Sequence, residues 1–173
     1  NCSAQTETLL ESELFGHVKG AFTGAIRDMP GRFKAAKDGT LFLDEIGDVS
    51  PSIQLKLLRV LEQKEFERVG DVRTIKSEAR VVTATNADLR QRVDQNEFRD
   101  DLFYRLSVVT IHLPPLRERD EDVRLLAGHF LDKFCDAMRK PILGFAPNTL
   151  DRIMAHSWPG NIRELKHAVE HAC

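Results

Sequence analysis

The sequence has few cysteines, no long apolar run and no block of basic residues, and each absence excludes a class of protein. Its three cysteines are odd in number and far apart, which is typical of reduced thiols in a cytoplasmic protein. No apolar stretch is long enough for a signal peptide or a membrane span. The net charge of −2 argues against direct DNA binding, because nucleic-acid binders usually carry a concentrated positive patch.

A phosphate-binding loop of the Gly-x-x-x-x-Gly-Lys-Ser/Thr type is also absent. None of the ten glycines is followed by lysine, so these residues contain no such cradle for nucleotide phosphates. The chain opens with Asn1 rather than methionine, and we expect it to be a piece of a longer protein.

The composition is that of a globular protein with a substantial core. Hydrophobic residues make up 42% of the 173 residues and charged residues 30%, which argues against a membrane or fibrous protein. Short apolar segments alternate between helical and extended patterns up to residue 113, and beyond Pro114-Pro115 the pattern is helical throughout. We therefore predict a partial α/β core over residues 1–113 and a helical subdomain over residues 114–173.

The core elements are predicted from apolar spacing and from start and turn signals. Ser50-Pro51 is typical of a helix start, with a capping hydroxyl and a proline at the first helical position. Further helices are predicted near residues 6–15, 31–37 and 88 onward, and in the second part from residues 120, 147 and 161. Strands, each expected to be buried, are predicted at residues 40–45, 80–85 and 108–112, with a weak hairpin signal joining 66–69 to 72–75.

Two adjacent carboxylates, Asp44 and Glu45, close the first predicted strand. Ligands of α/β proteins bind at the carboxyl ends of parallel strands. In that position Asp44 could hold Mg²⁺, directly or through water, and Glu45 could polarise the water that attacks a phosphate. Apolar residues followed by Asp-Glu are common to many ATPases, and a solvated acidic strand end is the alternative.

The most specific motif is the hexapeptide formed by Gly20, Ala21, Phe22, Thr23, Gly24 and Ala25. Glycines at this spacing permit a tight loop, because glycine accepts positive φ without strain. A phenylalanine lifted to the tip with Thr23 indicates a surface that touches a partner. In the alternative, this is an ordinary glycine-rich turn whose Phe22 folds back inside.

These two motifs belong to a longer series that runs in order over nearly the whole chain, at residues 13–17, 19–25, 39–47, 57–61, 84–86, 98–106, 113–119 and 158–165. In this combination the sequence resembles the central ATPase domain of bacterial enhancer-binding proteins, the NtrC family of AAA+ activators of sigma-54 RNA polymerase. The resemblance implies an AAA+ parallel-sheet core and a helical lid, with ATP and Mg²⁺ as cofactors. It also implies that the first strand and phosphate loop (Walker A) lie upstream of Asn1, and that the lid continues beyond residue 173.

The upstream strand of such a sheet lies between strands that this chain contains. Without it, those neighbours would carry unpaired backbone groups and an open apolar slot. We therefore predict that residues 1–173 expressed alone are poorly soluble or partly unfolded.

The resemblance gives roles to two asparagines. Asn1 matches a family asparagine that hydrogen-bonds the catalytic glutamate in a switch-like way, although alone it would be an ordinary polar residue at a strand end. Asn86 matches the first sensor, where an amide orients the attacking water or reads the terminal phosphate. An Asx-turn leading into the next helix is an alternative, compatible role for Asn86.

Three arginines complete the implied ATPase site. By resemblance, Arg99 and Arg105 reach into the neighbouring subunit, where a guanidinium stabilises charge on the transferred phosphoryl group. Arg163 matches the second sensor, an arginine of the lid that touches bound nucleotide. The alternative for each is a surface ion pair with nearby acidic residues.

A zinc site at His167 and His171, one turn apart on one helix, is the weaker interpretation beside a polar helix surface.

The function implied by the resemblance is sigma-54-dependent transcriptional activation in the cytoplasm. ATP hydrolysis in a homo-oligomeric ring, a hexamer, would move residues 20–25 against the sigma-54 RNA polymerase holoenzyme and convert the closed promoter complex to an open one. DNA would be bound only through a helix-turn-helix domain that this chain lacks, and no membrane is involved. The alternatives are a non-hydrolysing sigma-factor-binding or regulatory module that has lost the phosphate loop, or another AAA+ branch such as a helicase or clamp loader.

Overall fold

The chain forms two units, Asn1–Thr110 and Ile111–Cys173, and each has its own buried apolar cluster. The structure is a computed structural model that describes residues 1–173, with the side chain of Asp120 left out. The units divide between Thr110 and Ile111. The proline pair had predicted a boundary three residues later, between residues 113 and 114.

The first unit alternates short helices with short strands, as predicted. Its elements are α1 (Glu7–Phe15), β1 (Gly16–His17), β2 (Met29–Pro30), α2 (Arg32–Ala36), β3 (Thr40–Leu43), α3 (Pro51–Gln63), β4 (Glu65–Glu67), β5 (Thr74–Lys76), β6 (Arg80–Thr83), α4 (Leu89–Asp94) and α5 (Asp100–Leu106), with a 3-10 turn at Ile46–Asp48.

Strands β3 and β6 pair in parallel and form the sheet that matters for the site. The register runs from Thr40 opposite Arg80 to Leu43 opposite Thr83, so both strands end at the same edge. The hairpin is also confirmed, because β4 and β5 pair antiparallel with Phe66 opposite Ile75.

Helix α3 begins where its start signal predicted. The Ser50 hydroxyl accepts from the Ile53 amide at 3.4 Å, and Pro51 occupies the first helical position. Ile53 and Leu57 on the inner face are almost completely buried. Because this helix packs against α5 and β4, it places the acidic strand end and the arginine-bearing helix around one core.

Three strand expectations were wrong. Strand β3 is buried on one face only, since Leu43 is 4% exposed and Phe42 is 58% exposed. Strand β6 is not buried, because its residues are exposed or half-buried and Val82 is 39% exposed. Residues 108–112 form no strand, and Val108 and Val109 are 77% and 80% exposed. Residues 108–112 have no strand to pair with: within the part of the chain that the structure describes, the parallel sheet consists of β3 and β6. A strand without a hydrogen-bonding neighbour leaves its backbone groups to water.

The second unit is helical, as predicted. Its elements are a 3-10 turn at Leu116–Glu118, α6 (Asp120–Met138), α7 (Pro147–Ala155) and α8 (Asn161–Ala172). The Trp158 indole nitrogen donates to the Ile153 carbonyl at 2.9 Å, and the Asn161 side-chain oxygen accepts from the Leu116 amide at 2.8 Å.

No helix in the described part of the chain combines the length and the apolar character needed to cross a membrane.

The exposed apolar face of the parallel sheet generates a prediction for residues 1–173 expressed alone. Phe42 and Val82 are 58% and 39% exposed on neighbouring strands, and such a patch favours association between chains. We expect residues 1–173 to sediment as aggregates and to bind an apolar dye, and the double substitution Phe42→Ser, Val82→Thr to raise their solubility severalfold. A monomer with a sharp two-state melt would contradict this expectation.

Candidate functional site

The acidic pair predicted from the sequence lies at the carboxyl end of β3, at the edge where β6 also ends. Asp44 and Glu45 are both half-buried. The Ile46 amide donates to the Ala84 carbonyl at 3.0 Å, which ties the turn to the chain that continues β6. The site is therefore built by parallel pairing of two strands that are far apart in sequence.

Glu45 has a left-handed backbone conformation, with φ of 56°. This conformation costs a non-glycine residue on the order of 1 kcal/mol, and such residues cluster at functional sites. The 3-10 turn at Ile46–Asp48 begins directly after it. This change of backbone direction sets where the Glu45 carboxylate lies.

Both asparagines lie beside the acidic pair. The Asn86 backbone nitrogen donates to Glu45 Oε2 at 3.4 Å, and the Asn1 side-chain nitrogen donates to Asp44 Oδ2 at 3.2 Å. The resemblance had given Asn1 a bond to the glutamate, whereas in this structure its partner is the neighbouring aspartate. Asp88, rather than Asn86, caps α4, because its carboxylate accepts from the Gln91 amide at 3.1 Å.

The potential cation ligands at this strand end are oxygen atoms. Two carboxylates and an asparagine side-chain oxygen are hard donors of the kind that Mg²⁺ prefers. The Asn1 oxygen is already taken up locally, accepting from the Ser3 amide at 3.0 Å and the Ser3 hydroxyl at 2.8 Å. The donor set therefore fits Mg²⁺ through Asp44, with Glu45 beside it.

Arg92 is a residue of this site that the sequence analysis missed. From α4 its guanidinium donates to the Gly47 carbonyl at 2.5 Å and pairs with Asp48 at 3.0 Å, which holds the 3-10 turn after the acidic pair. Nothing in the sequence distinguishes Arg92 from the other charged residues of α4, because the contact depends on the packing of two distant segments.

Arg99 and Arg105 lie at the two ends of α5, and both are exposed. Arg99 forms a two-pronged ion pair with Asp101, at 3.0 Å from Nε and 2.6 Å from Nη2. These hydrogen bonds raise the pKa of Arg99 and lower the pKa of Asp101. Arg105 donates to the Leu61 carbonyl at 3.2 Å. In this structure, Arg99 thus has the surface ion pair that the sequence analysis left as its alternative.

The hexapeptide forms a closed loop above the β1–β2 ribbon. Gly20 and Gly24 have φ of 84° and 100°, as the glycine spacing predicted, and the Gly20 amide donates to the Ala25 carbonyl at 2.8 Å. Thr23 is exposed, whereas Phe22 is half-buried and its ring meets the His17 ring edge-on at 5.1 Å. Phe22 therefore leans back towards the stem and leaves Thr23 as the more exposed of the pair.

A charged cluster beneath the loop joins it to the segment after β4. Asp28 accepts from the Lys19 amide at 2.8 Å and pairs with Arg68 at 3.3 Å, and Arg68 also pairs with Asp71 at 2.7 Å. The bond from the Lys19 amide is the main cause that lowers the pKa of Asp28, and bonds from Arg73 and Arg68 lower that of Asp71. Sequence patterns gave no sign of this cluster.

The second unit carries Arg163 and the two histidines on α8. All three side chains are exposed, and Arg163 is in the first turn of that helix. Among the residues that the structure describes, no group of three histidine, cysteine or acidic side chains is placed to hold a metal ion, so the zinc interpretation of His167 and His171 has no third ligand there. The three cysteines of the chain are unpaired.

Comparison with known families decides the relationship of this chain. Residues 1–112 match the sigma-54 interaction domain, and residues 117–173 match an AAA+ ATPase lid domain. The chain belongs to the sigma-54 interaction domain family. The AAA+ activators of this family are ATPases, so the acidic strand end is the part of the fold where phosphate chemistry is to be sought.

Its curated relatives are transcriptional regulators. The chain is 56% identical over 170 residues to the Nif-specific regulatory protein of Herbaspirillum seropedicae, and the match covers 98% of this chain and 31% of that protein. It is 54% identical over 172 residues to the transcriptional regulatory protein ZraR of Escherichia coli strain K12, covering 99% of this chain and 39% of that protein. The chain thus spans less than two fifths of the length of these relatives.

Solved structures confirm the predicted AAA+ fold. The crystal structure of NtrX from Brucella abortus in complex with ADP superimposes with a TM-score of 0.89 at 35% identity, over 98% of this chain and 37% of that one. The structure of the same protein with ATP gives a TM-score of 0.89 at 35% identity, over 98% and 36%. This chain therefore has an α/β core with a parallel sheet and a helical lid region, as expected.

The charged cluster beneath the loop generates a prediction. We expect Asp28→Ala in the intact protein to speed amide hydrogen exchange across residues 19–25 about tenfold, because the loop stem loses both the Lys19 acceptor and the Arg68 ion pair. Asp38→Ala, at an exposed carboxylate before β3, is the matched control. The pKa of Asp28 is lowered in the folded state. The stabilisation of the loop stem by Asp28 is therefore complete at pH values above the ordinary pKa of an aspartate, and it is lost as the pH falls through the lowered pKa. Equal exchange in both variants would contradict the role of Asp28.

Proposed function

We propose that the protein containing this chain is a sigma-54-dependent transcriptional activator that hydrolyses ATP in a cytoplasmic homo-oligomeric ring. The observation that carries the proposal is the pairing of two features in one unit. A carboxylate pair lies at the strand edge, and a closed glycine-flanked loop with Thr23 exposed belongs to the same unit. Membership of the sigma-54 interaction domain family supports sigma-54 RNA polymerase holoenzyme as the partner of that loop.

In this proposal, hydrolysis depends on the acidic pair and its two asparagines. Asp44 would hold Mg²⁺, which when bound neutralises charge on the phosphate oxygens. Glu45 accepts a proton from the attacking water, and Asn86 orients that water beside it. Asn1, whose side chain reaches Asp44 at 3.2 Å, holds that carboxylate in place until the nucleotide state changes. The phosphate cradle itself would come from a Walker A segment outside this chain.

Arg99 and Arg105 act on the nucleotide of the neighbouring subunit in a ring, which we propose to be a hexamer. Both lie at the ends of α5 with exposed side chains, which suits groups that must leave their own subunit. The Arg99–Asp101 pair opens when a terminal phosphate offers a stronger partner for the guanidinium. Arg163 of the lid would contact bound nucleotide.

The loop at residues 20–25 delivers the mechanical output. Gly20, Ala21, Gly24 and Ala25 close the loop, and Phe22 and Thr23 form its contact with sigma-54. Phe22 rests on His17 here, so release of that ring would extend the loop tip. Such a movement requires two loop states with different affinities for the polymerase. DNA would be bound by a helix-turn-helix domain elsewhere in the protein.

Thr23→Ala in the intact protein tests the role of the loop. We expect open-complex formation at a sigma-54 promoter to fall at least about tenfold while ATPase turnover stays within about twofold, because Thr23 contacts the partner and not the nucleotide. Thr149→Ala, at an exposed threonine of α7, is the control. Full activation by Thr23→Ala would remove the loop from the mechanism. If Thr23→Ala abolished both ATPase turnover and activation, Thr23 would have a role other than contact with the partner.

Arg105→Ala tests hydrolysis between subunits. We expect turnover to fall on the order of a thousandfold with ATP affinity nearly unchanged, because the guanidinium acts on charge that develops in the transition state. The exposed Arg152 of α7 supplies the control variant, Arg152→Ala. Unchanged turnover in Arg105→Ala would exclude Arg105 from the hydrolysis mechanism. Intact sigma-54 binding without hydrolysis in the unaltered protein would instead favour the non-hydrolysing module.

A further inference from the structure

Gln54 is a buried polar residue to which the proposed chemistry gives no role. It lies in the first turn of α3, and the residue is 1% exposed. Its amide nitrogen donates to the carbonyl oxygens of Val49 and Glu97, at 3.0 and 3.1 Å, and its oxygen accepts from the Arg99 amide at 2.9 Å. All three partners are backbone groups, so this side chain acts as a clamp between segments of the chain.

The two segments that Gln54 joins both belong to the proposed ATPase machinery. Val49 directly follows the 3-10 turn that begins after Glu45. Glu97 and Arg99 lie between α4 and α5, and Arg99 is the residue from which α5 starts. One side chain therefore connects the turn after the acidic pair to the backbone of the first arginine.

The segment around Arg99 borders a surface cavity of about 480 Å³, which is lined by Gln54 and Phe98 as well as by Val93, Asn96 and Asp100. Phe98 is nevertheless only 3% exposed, and the Glu97 and Phe98 backbone amides donate to the Arg92 carbonyl at 2.9 and 3.2 Å. These contacts hold the chain before Arg99, whereas the bond from the Arg99 amide to Gln54 holds Arg99 itself.

We propose that Gln54 is a positioning residue that fixes Arg99, and through α5 Arg105, relative to the acidic strand end of the same subunit. This inference rests on the proposed function, because it matters only if these arginines act on a neighbouring nucleotide. A clamp of this kind carries a displacement of the turn after Glu45 to the arginines. Each site in a ring would thereby influence the arginines offered to the next.

The geometry explains why glutamine is needed here. The side chain must donate twice and accept once, and a neutral amide does both. Glutamate would keep the acceptor for the Arg99 amide but place a carboxylate against two carbonyl oxygens. Methionine would preserve the volume and remove all three hydrogen bonds. Gln54→Met is therefore the cleaner substitution, and Gln54→Glu is the second one.

The test uses the intact protein and measures ATP hydrolysis and ATP affinity separately. We expect Gln54→Met and Gln54→Glu to lower kcat at least about tenfold with the Kd for ATP within about twofold, since a misplaced group costs rate rather than binding. The control is Gln63→Met, at an exposed glutamine at the end of the same helix. Unchanged kcat in folded Gln54 variants overturns the inference.

A second measurement needs no variant and covers the case in which Gln54 substitutions do not fold. The Arg99 amide of the unaltered protein should exchange its hydrogen at least about a hundredfold more slowly than an unprotected amide. Exchange of this amide at the unprotected rate overturns the clamp.

A combined substitution separates this inference from the proposed function. If Gln54 acts through the two arginines, Gln54→Met lowers kcat little further in a background that already carries Arg99→Ala and Arg105→Ala, because the Arg99 backbone amide remains in either single alanine variant. Full additivity overturns the inference and leaves the arginine role intact. A normal kcat in Arg99→Ala alone removes the proposed function of that arginine, and the inference fails with it.

Discussion

The parallel pairing of β3 with β6 is the constraint from which the site follows. It brings together residues about forty positions apart in sequence, with Leu43 opposite Thr83. Because both strands end at one edge, Asp44 and Glu45 lie beside the segment after β6 that contains Asn86, and Asn86 contacts Glu45 there. The left-handed backbone of Glu45 then turns the chain into the core, where α3 packs. A slip of one residue in this register would move the acidic pair away from Asn86.

Helix α3 extends this order from the strand edge to the arginine segment. Its inner face buries Ile53 and Leu57, and between them Gln54 holds the backbone on both sides. The loop at residues 20–25 is linked to the same unit through Asp28 and Arg68 rather than through the strand edge. The unit therefore contains two polar linkages, one serving the proposed chemistry and one serving the loop.

The sequence predicted the elements whose signals are local and missed what depends on packing. Ser50 and Pro51 predicted the start of α3, and the spacing of Gly20 and Gly24 predicted a tight loop. The strand expected at residues 108–112 is absent because a strand needs a neighbour, which no local pattern supplies. Arg92 and Gln54 were missed for the same reason, since their partners lie more than forty residues away in sequence or belong to the backbone. The asparagine and arginine roles came from family resemblance and remain proposals.

Movement of the loop with nucleotide state is the central claim. It is tested most directly by a distance measurement between spin labels in the intact protein, at Thr23→Cys on the loop and Gln63→Cys at the end of α3, with the native cysteines replaced. The distance distribution should have different maxima with a non-hydrolysable ATP analogue and with ADP, because loss of the terminal phosphate resets the loop. Identical distributions in the two nucleotide states would contradict the coupling of hydrolysis to the loop.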